Sequence, residues 1–416
     1  VTPSETYMGA QFLSGFDFRD CNLERCCLNE GRLTDAILAN AEMDRVQLES
    51  ADLEKADLSR ASLRYASLDE ARLNSARLNK ANVFSASMKY ADLNGADLSG
   101  IRLTNANLFN ATLNRAKLPH AFLERTILDK AELESADLGG ACLDWSSLVR
   151  AKLMNVILTG ASMIGSDLSY ANLVNSKLMH SNASLSNMTN ANLQGADITA
   201  SDLTMAILEW AMLEGANLTN AIISMAKLRC ASFVESVLFG ASIVLSDLQD
   251  SNFRAANLNE SVLSHSDLRS AVFLDATLIG AQLCESRLIN ANFNNANLAG
   301  ADLFGAQMSD AQFVNANLFG ASLQQAEASN AVFEGSLLAG VDFSRAKLAN
   351  VNFQNTNLTG AKFGRADLTN VDFTNADLTC VDFKGASVSP ESLSRSRNID
   401  KAINIPADDK TISGSF

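Results

Sequence analysis

A five-residue register runs through this chain and restricts its fold more than any other feature. Cut every five residues from Thr6 to Pro390, the sequence gives 77 consecutive blocks without an insertion or deletion. The third residue of the block is Leu, Phe, Met, Ile or Val in 75 of them, and the exceptions are Ala183 and Ala328. The first residue is Ala in 49 blocks, and the other three positions are mostly polar. Helices repeat apolar residues every three or four positions and strands every two. The register therefore predicts a chain that bends at each block, with the first and third residues pointing inward.

Many blocks follow the pattern A-(D/N)-L-x-x, as at residues 51–55, 91–95 and 366–370. This pattern resembles that of the pentapeptide-repeat protein family, and the resemblance covers residues 6–390. It implies an all-β fold, a right-handed four-sided parallel β-solenoid in which four blocks, and hence 20 residues, make one turn. A chain of this length then forms about 19 coils, which are stabilised by stacking on one another rather than one by one.

The spacing of particular residues supports a 20-residue turn independently of the family. Phe recurs in the third position at 233, 253, 273, 293, 313, 333, 353 and 373. Gly recurs in the fifth position at 240, 280, 300, 320, 340 and 360. A turn of 20 residues places each series in one column along the axis, whereas a three-sided turn of 15 residues would scatter both.

The predicted organisation is a solenoid over 1–390, a C-terminal capping helix over 391–404 and a flexible tail over 405–416. Ser389 suits the N-cap of the helix and Pro390 its first position. The cap is needed because the end of a stack exposes unpaired strand edges. Three apolar residues of the cap are predicted to dock on the last coil: Leu393, Ile399 and Ile403.

Charge and hydropathy exclude several functional classes. The formal net charge of −14 argues against direct nucleic-acid binding and against attachment to anionic membrane surfaces. No apolar run is long enough to span a bilayer. The segment 1–7 has no signal-peptide pattern, so a cytoplasmic location is expected, with an organelle lumen as the alternative if a targeting segment preceded Val1.

No group of residues indicates catalysis or a cofactor. His120 and His180 fall in one column but three turns apart, which is too far for a shared metal ion. Cys21 and Cys26 occupy first positions and are predicted to be small inward fillers, while the other five cysteines are predicted to point outward. The serines have no partner base, so none is a nucleophile. We therefore expect a protein that is not an enzyme and has no metal, cofactor or small-molecule substrate.

Large apolar residues at outward positions are the strongest indication of a binding surface. Exposed apolar patches on soluble proteins mark interaction sites, and Trp, Tyr and Met are favoured there. The predicted partner is another protein or a second copy of the chain. The candidate interface residues are Trp145, Ile164, Tyr170, Leu185, Met205, Trp210, Ile222, Met225, Val244 and Leu245.

The family resemblance implies an alternative function. Some pentapeptide-repeat proteins are similar in size and charge to duplex DNA and protect DNA gyrase by mimicking its substrate. Residues 1–70 hold 14 acidic against 7 basic side chains, which suits such a DNA mimic of gyrase or topoisomerase. Lys and Arg nevertheless occur throughout the repeat, so the sequence favours a rigid protein-interaction scaffold over the mimic.

Overall fold

The computed structural model describes residues 11–406. These belong to two compact units, Val1–Asn217 and Leu218–Phe416, here called unit 1 and unit 2. In both units the second residue of each block forms a parallel β-bridge with the residue 20 positions further on. The bridges run from Phe12↔Arg32 to Asp197↔Asn217 in unit 1 and from Ile222↔Ser242 to Asp382↔Ile403 in unit 2. Both units are therefore β-helical solenoids in which blocks 20 residues apart stack as one face.

The bridges are single residues because the chain turns at the fourth and fifth positions of every block. Around each bridge two backbone hydrogen bonds join successive turns, as where Leu53 N–H donates to Arg72 O at 2.7 Å and Arg72 N–H donates to Ala51 O at 2.9 Å. The Asp or Asn at the second position supports the following bend through its side chain. Asp57 Oδ1, for example, accepts the Ser59 N–H at 3.0 Å. The repeated D/N of the sequence is thus a local backbone ligand, as predicted.

The fifth residue of each described block up to Gly385 has a positive φ, between 53° and 72°. Gly and Asn adopt this left-handed conformation at the lowest cost. The fifth position is therefore the corner of the solenoid, and its side chain lies at the edge between two faces.

First and third residues form the core, as the register predicted. The predicted phenylalanine column is present in unit 2, where rings from Phe233 to Phe373 stack with centroids 4.5 to 5.5 Å apart. A second column of Phe343, Phe363 and Phe383 lies beside it, at 5.1 and 5.6 Å between successive rings. Its members are also 20 residues apart, and the sequence analysis overlooked them.

The C-terminal cap begins as predicted but its helix is much shorter. Helix α1 spans Pro390–Leu393, and the Ser389 hydroxyl at the N-cap accepts the Ser392 N–H at 3.2 Å. Leu393 is buried against the solenoid. Beyond Leu393 the chain leaves the helical conformation, so the single capping helix predicted over 391–404 is too long.

The chain after α1 rejoins the sheet instead. Arg397 bridges to Asp377 and Ile403 bridges to Asp382, with a short 3-10 helix at Ile399–Lys401 between them. Ile403 occupies a bridge position, so its side chain points outward and is 51% exposed rather than docked. Ile399 is half-buried. The predicted tail over 405–416 lies outside the described residues from 407 onward.

Candidate interaction surface

In unit 1 the structure places three of the predicted residues in one corner column. Trp145, Leu185 and Met205 are 60%, 49% and 47% exposed and have φ of 60°, 62° and 59°. A bulky side chain in the left-handed region is strained and better replaced by Gly or Asn. These residues therefore add no stability through backbone conformation and little through burial. Such unfavourable positions cluster at functional sites.

The glycine that interrupts this column has a steric reason. A Cβ built on Gly165 would lie 2.5 Å from Cε3 of Trp145, because the indole lies across the Gly165 backbone. Any larger residue at 165 would displace the ring. The indole is thus held flat on the next turn while most of its surface stays in solvent.

The neighbouring corner of unit 1 carries Tyr170 and Trp210, which are 54% and 59% exposed. The Arg150 guanidinium lies over the Tyr170 ring, 5.5 Å from its centroid, an arrangement typical of cation–π attraction. Ile164 is only half-buried, so it contributes less outward surface than its sequence position indicated. We call Trp145, Tyr170, Leu185, Met205 and Trp210 the apolar edge of unit 1.

In unit 2 the predicted residues Ile222, Met225 and Leu245 are exposed, at 46%, 45% and 60%. Val244 is half-buried, as fourth-position side chains are in most blocks. Eight of the ten predicted residues are thus exposed and two are half-buried.

Several exposed apolar residues were missed from the sequence. In unit 1, Tyr65 and Tyr90 are each 53% exposed and meet the edges of Phe84 and Phe109. In unit 2 a further group lies on one face: Phe239, Ile279, Phe319 and Leu337. Comparing the fourth position along each column would have found three of these four, because Phe239, Ile279 and Phe319 recur every second turn.

The acidic part of unit 1 is largely neutralised by ion pairs. Arg64 pairs with Asp44, and Arg72 lies 3.5 Å from carboxylate oxygens of both Asp52 and Glu54. Burial opposes ionisation of Asp44, but hydrogen bonds from Arg64 and from the Ser62 hydroxyl outweigh it and lower the pKa of the Asp44 carboxyl. The carboxylates of this region bind their own chain and leave little unpaired negative charge.

The reactive side chains of the described residues are dispersed. Within 11–406, no three His, Cys, Asp or Glu side chains are close enough to hold a metal ion. Burial raises the pKa of the Cys142 and Cys284 thiols to about 11. Cys26 is buried as predicted, but Cys21 is exposed because it lies in the first described turn, where no preceding turn covers it. In the same range, no helix has the length and hydropathy of a membrane span.

Sequence models of known families identify the repeat. The model described as pentapeptide repeats (8 copies) matches nine overlapping segments, which extend from 17 to 318 with gaps at 145 and 221–245. A second model, described as a pentapeptide repeat region, matches 306–388. Together they cover well over half of the chain. The chain belongs to the pentapeptide-repeat family.

Solved structures of other pentapeptide-repeat proteins are similar over parts of the chain. HetL, involved in heterocyst differentiation regulation in the cyanobacterium Nostoc sp. strain PCC 7120, is 33% identical over 50% of this chain and 89% of its own, with a TM-score of 0.31. A thylakoid-lumen pentapeptide-repeat protein of Arabidopsis thaliana is 30% identical over 28% and 70%, with a TM-score of 0.13. QnrB1, a plasmid-mediated fluoroquinolone resistance protein, is 22% identical over 43% and 85%, with a TM-score of 0.26. No curated protein matches the chain in sequence. Family membership rests on the repeat models, and these superpositions carry no argument about function.

Proposed function

We propose that this pentapeptide-repeat protein is a non-catalytic scaffold that binds another protein through the apolar edge of unit 1. The observation that carries the proposal is the presence of large apolar side chains, about half exposed, at corners whose positive φ favours Gly or Asn. The fold gains little from a Trp there, whereas an interface gains much, since Trp and Tyr dominate binding energies.

The rigidity of the scaffold follows from its fold. We propose one right-handed, four-sided solenoid of about 19 coils, held by nearest-neighbour stacking. In such a fold side chains at successive corners keep fixed positions relative to one another, so Trp145, Leu185 and Met205 are pre-organised. Pre-organisation lowers the entropic cost of association.

The gyrase-directed DNA mimic is the less favoured function. A mimic needs a dense row of unpaired negative charges, because duplex DNA carries one charge per ~1.7 Å of its axis. The ion pairs at Asp44, Asp52 and Glu54 reduce the negative charge where the sequence is most acidic.

The test is affinity capture from native lysate at low and high salt. The wild type is compared with a Leu185→Asp/Trp210→Asp double variant and with Asn110→Asp as the matched control. Asn110 lies in the same corner column as Trp210 and is also exposed, so its variant adds a carboxylate without removing apolar surface.

We expect a partner that survives high salt, binds the control normally and binds the double variant about 30-fold more weakly or less, given hot-spot losses of about 2 kcal/mol or more. Equal binding by the double variant would refute the edge as the binding surface. Loss of all partners at high salt, with a topoisomerase captured at low salt, would establish the DNA mimic instead.

A further inference from the structure

One column of fourth-position residues in unit 2 alternates between large and small side chains. Phe239, Ile279 and Phe319 are 39%, 42% and 62% exposed. The residues between and after them are smaller and half-buried: Asn259, Ala299 and Ala339. From Ile279 to Ala339 the column therefore presents a projection, a depression, a projection and a depression on four successive turns.

The face that carries this column has no charged side chain over five turns. It consists of the blocks 276–280, 296–300, 316–320, 336–340 and 356–360, and we call it the neutral face. Every other face of unit 2, within the residues that the structure describes, has an acidic or basic side chain in any five successive turns. A chain of net charge −14 repels its own copies, and the repulsion is weakest between two faces that carry no charge.

We propose that the neutral face binds the neutral face of a second copy of this chain, antiparallel, about a two-fold axis between the turns of Ala299 and Phe319. A two-fold interface requires a surface that is complementary to itself. In this register Phe319 lies on the partner's Ala299 and Ile279 lies on the partner's Ala339. Each projection meets a depression, and the second half of the contact follows from the symmetry.

The corner beside the column fits the same arrangement. Antiparallel docking brings the second-position side chains of one copy towards the partner's corner, so that Leu337, which is 51% exposed, faces the partner's Gly280. A Cβ added at Gly300 or Gly320 would meet nothing within 4 Å. The chain's own packing therefore does not demand glycine there, and Asn serves at the same φ at Asn315 on the adjacent corner. A bare corner leaves room for a close neighbour.

A second copy accounts for the pattern better than a different protein does. An unrelated partner needs only a suitable apolar patch, and it places no condition on the order of large and small residues. Self-association imposes the observed order, because the residue that projects on one copy must match the depression that the same column offers. The surface is separate from the apolar edge of unit 1, so the outcome of one test does not determine the other.

The experiment is sedimentation velocity of the full chain from about 1 to 100 μM, a range that brackets micromolar association. We expect the wild type to dimerise and Phe319→Glu to be monomeric, with the dissociation constant raised about 100-fold or more because each dimer loses two apolar contacts and gains two unpaired charges. Leu245→Glu is the control, since it adds the same charge to an exposed apolar position of unit 2 outside the neutral face. Circular dichroism and thermal melts establish that each variant is folded.

A double variant tests the register. Phe319→Glu with Ala299→Lys places opposite charges across the two-fold axis, and we expect it to regain dimerisation at low salt and lose it at high salt. A monomeric wild type at all concentrations would overturn the proposal. So would a dimer that withstands Phe319→Glu or is broken by Leu245→Glu instead. Failure of the folded double variant to recover would overturn the antiparallel register on which the proposal rests.

Discussion

The phenylalanine column of unit 2 gives the sharpest test of how the solenoid is stabilised. Phe293 is fully buried, and its ring stacks between Phe273 at 4.5 Å and Phe313 at 4.8 Å. Phe293→Ala removes most of a buried side chain, which costs about 3–5 kcal/mol. The lost ring contacts are worth about 0.5–1.5 kcal/mol each and place the expected loss in the upper part of that range. Phe293→Leu, which keeps more of the side-chain volume, is the matched control and should cost clearly less.

Hydrogen exchange followed by mass spectrometry measures this loss locally. Because each turn contacts only its neighbours, the destabilisation should be concentrated in the turns that carry Phe273, Phe293 and Phe313. A loss of about 4 kcal/mol corresponds to roughly 1,000-fold faster exchange of the protected amides there. Peptides several turns away should be unchanged. Uniform acceleration along unit 2, or less than about 10-fold at the substituted turn, would refute stabilisation by nearest-neighbour stacking.

Three further predictions concern packing, pH and thiol reactivity. The turn holding Ala328, where a methyl replaces the usual large third residue, should exchange its amides faster than turns with Leu there, and Ala328→Leu should slow that exchange if the space admits it. The lowered pKa of Asp44 means that its pairing with Arg64 contributes stability above the unfolded pKa of about 3.9 and loses it as the pH falls through the lower folded value. The urea midpoint of unit 1 should therefore fall at acid pH, and less so in Asp44→Asn. Timed alkylation should modify the exposed Cys380 quickly and Cys142 slowly, since burial raises the pKa of the Cys142 thiol to about 11.

Much of the fold was predictable because its main determinants repeat at a fixed interval. The five-residue register identified the buried positions, and the 20-residue recurrence of Phe identified which blocks stack, as the ring contacts from Phe233 to Phe373 confirm. The cap was harder, because Ser389 and Pro390 indicate where a helix begins but nothing nearby indicates where it stops. Its end is set by tertiary pairing of Arg397 and Ile403 with the last turns, which is not a local property of the sequence.

The candidate site was predictable only in part. Outward position follows from the register, so the exposure of Trp145 and Trp210 could be expected. The degree of exposure depends on the neighbouring turn, which leaves Ile164 half-buried and covers the Gly165 backbone with the indole of Trp145. The neutral face escaped notice because no single residue marks it. Its character comes from five blocks that are 20 residues apart and become adjacent only in the folded chain.

Site-specific photocrosslinking in native lysate tests the scaffold function most directly. A photoreactive phenylalanine analogue is placed at position 185 or 210 on the apolar edge, and at the exposed acidic position 49 for comparison. The scaffold account predicts that one protein is crosslinked from 185 and 210 but not from 49, and that the yield persists at high salt. A partner crosslinked from 49 alone, and lost at high salt, would contradict it.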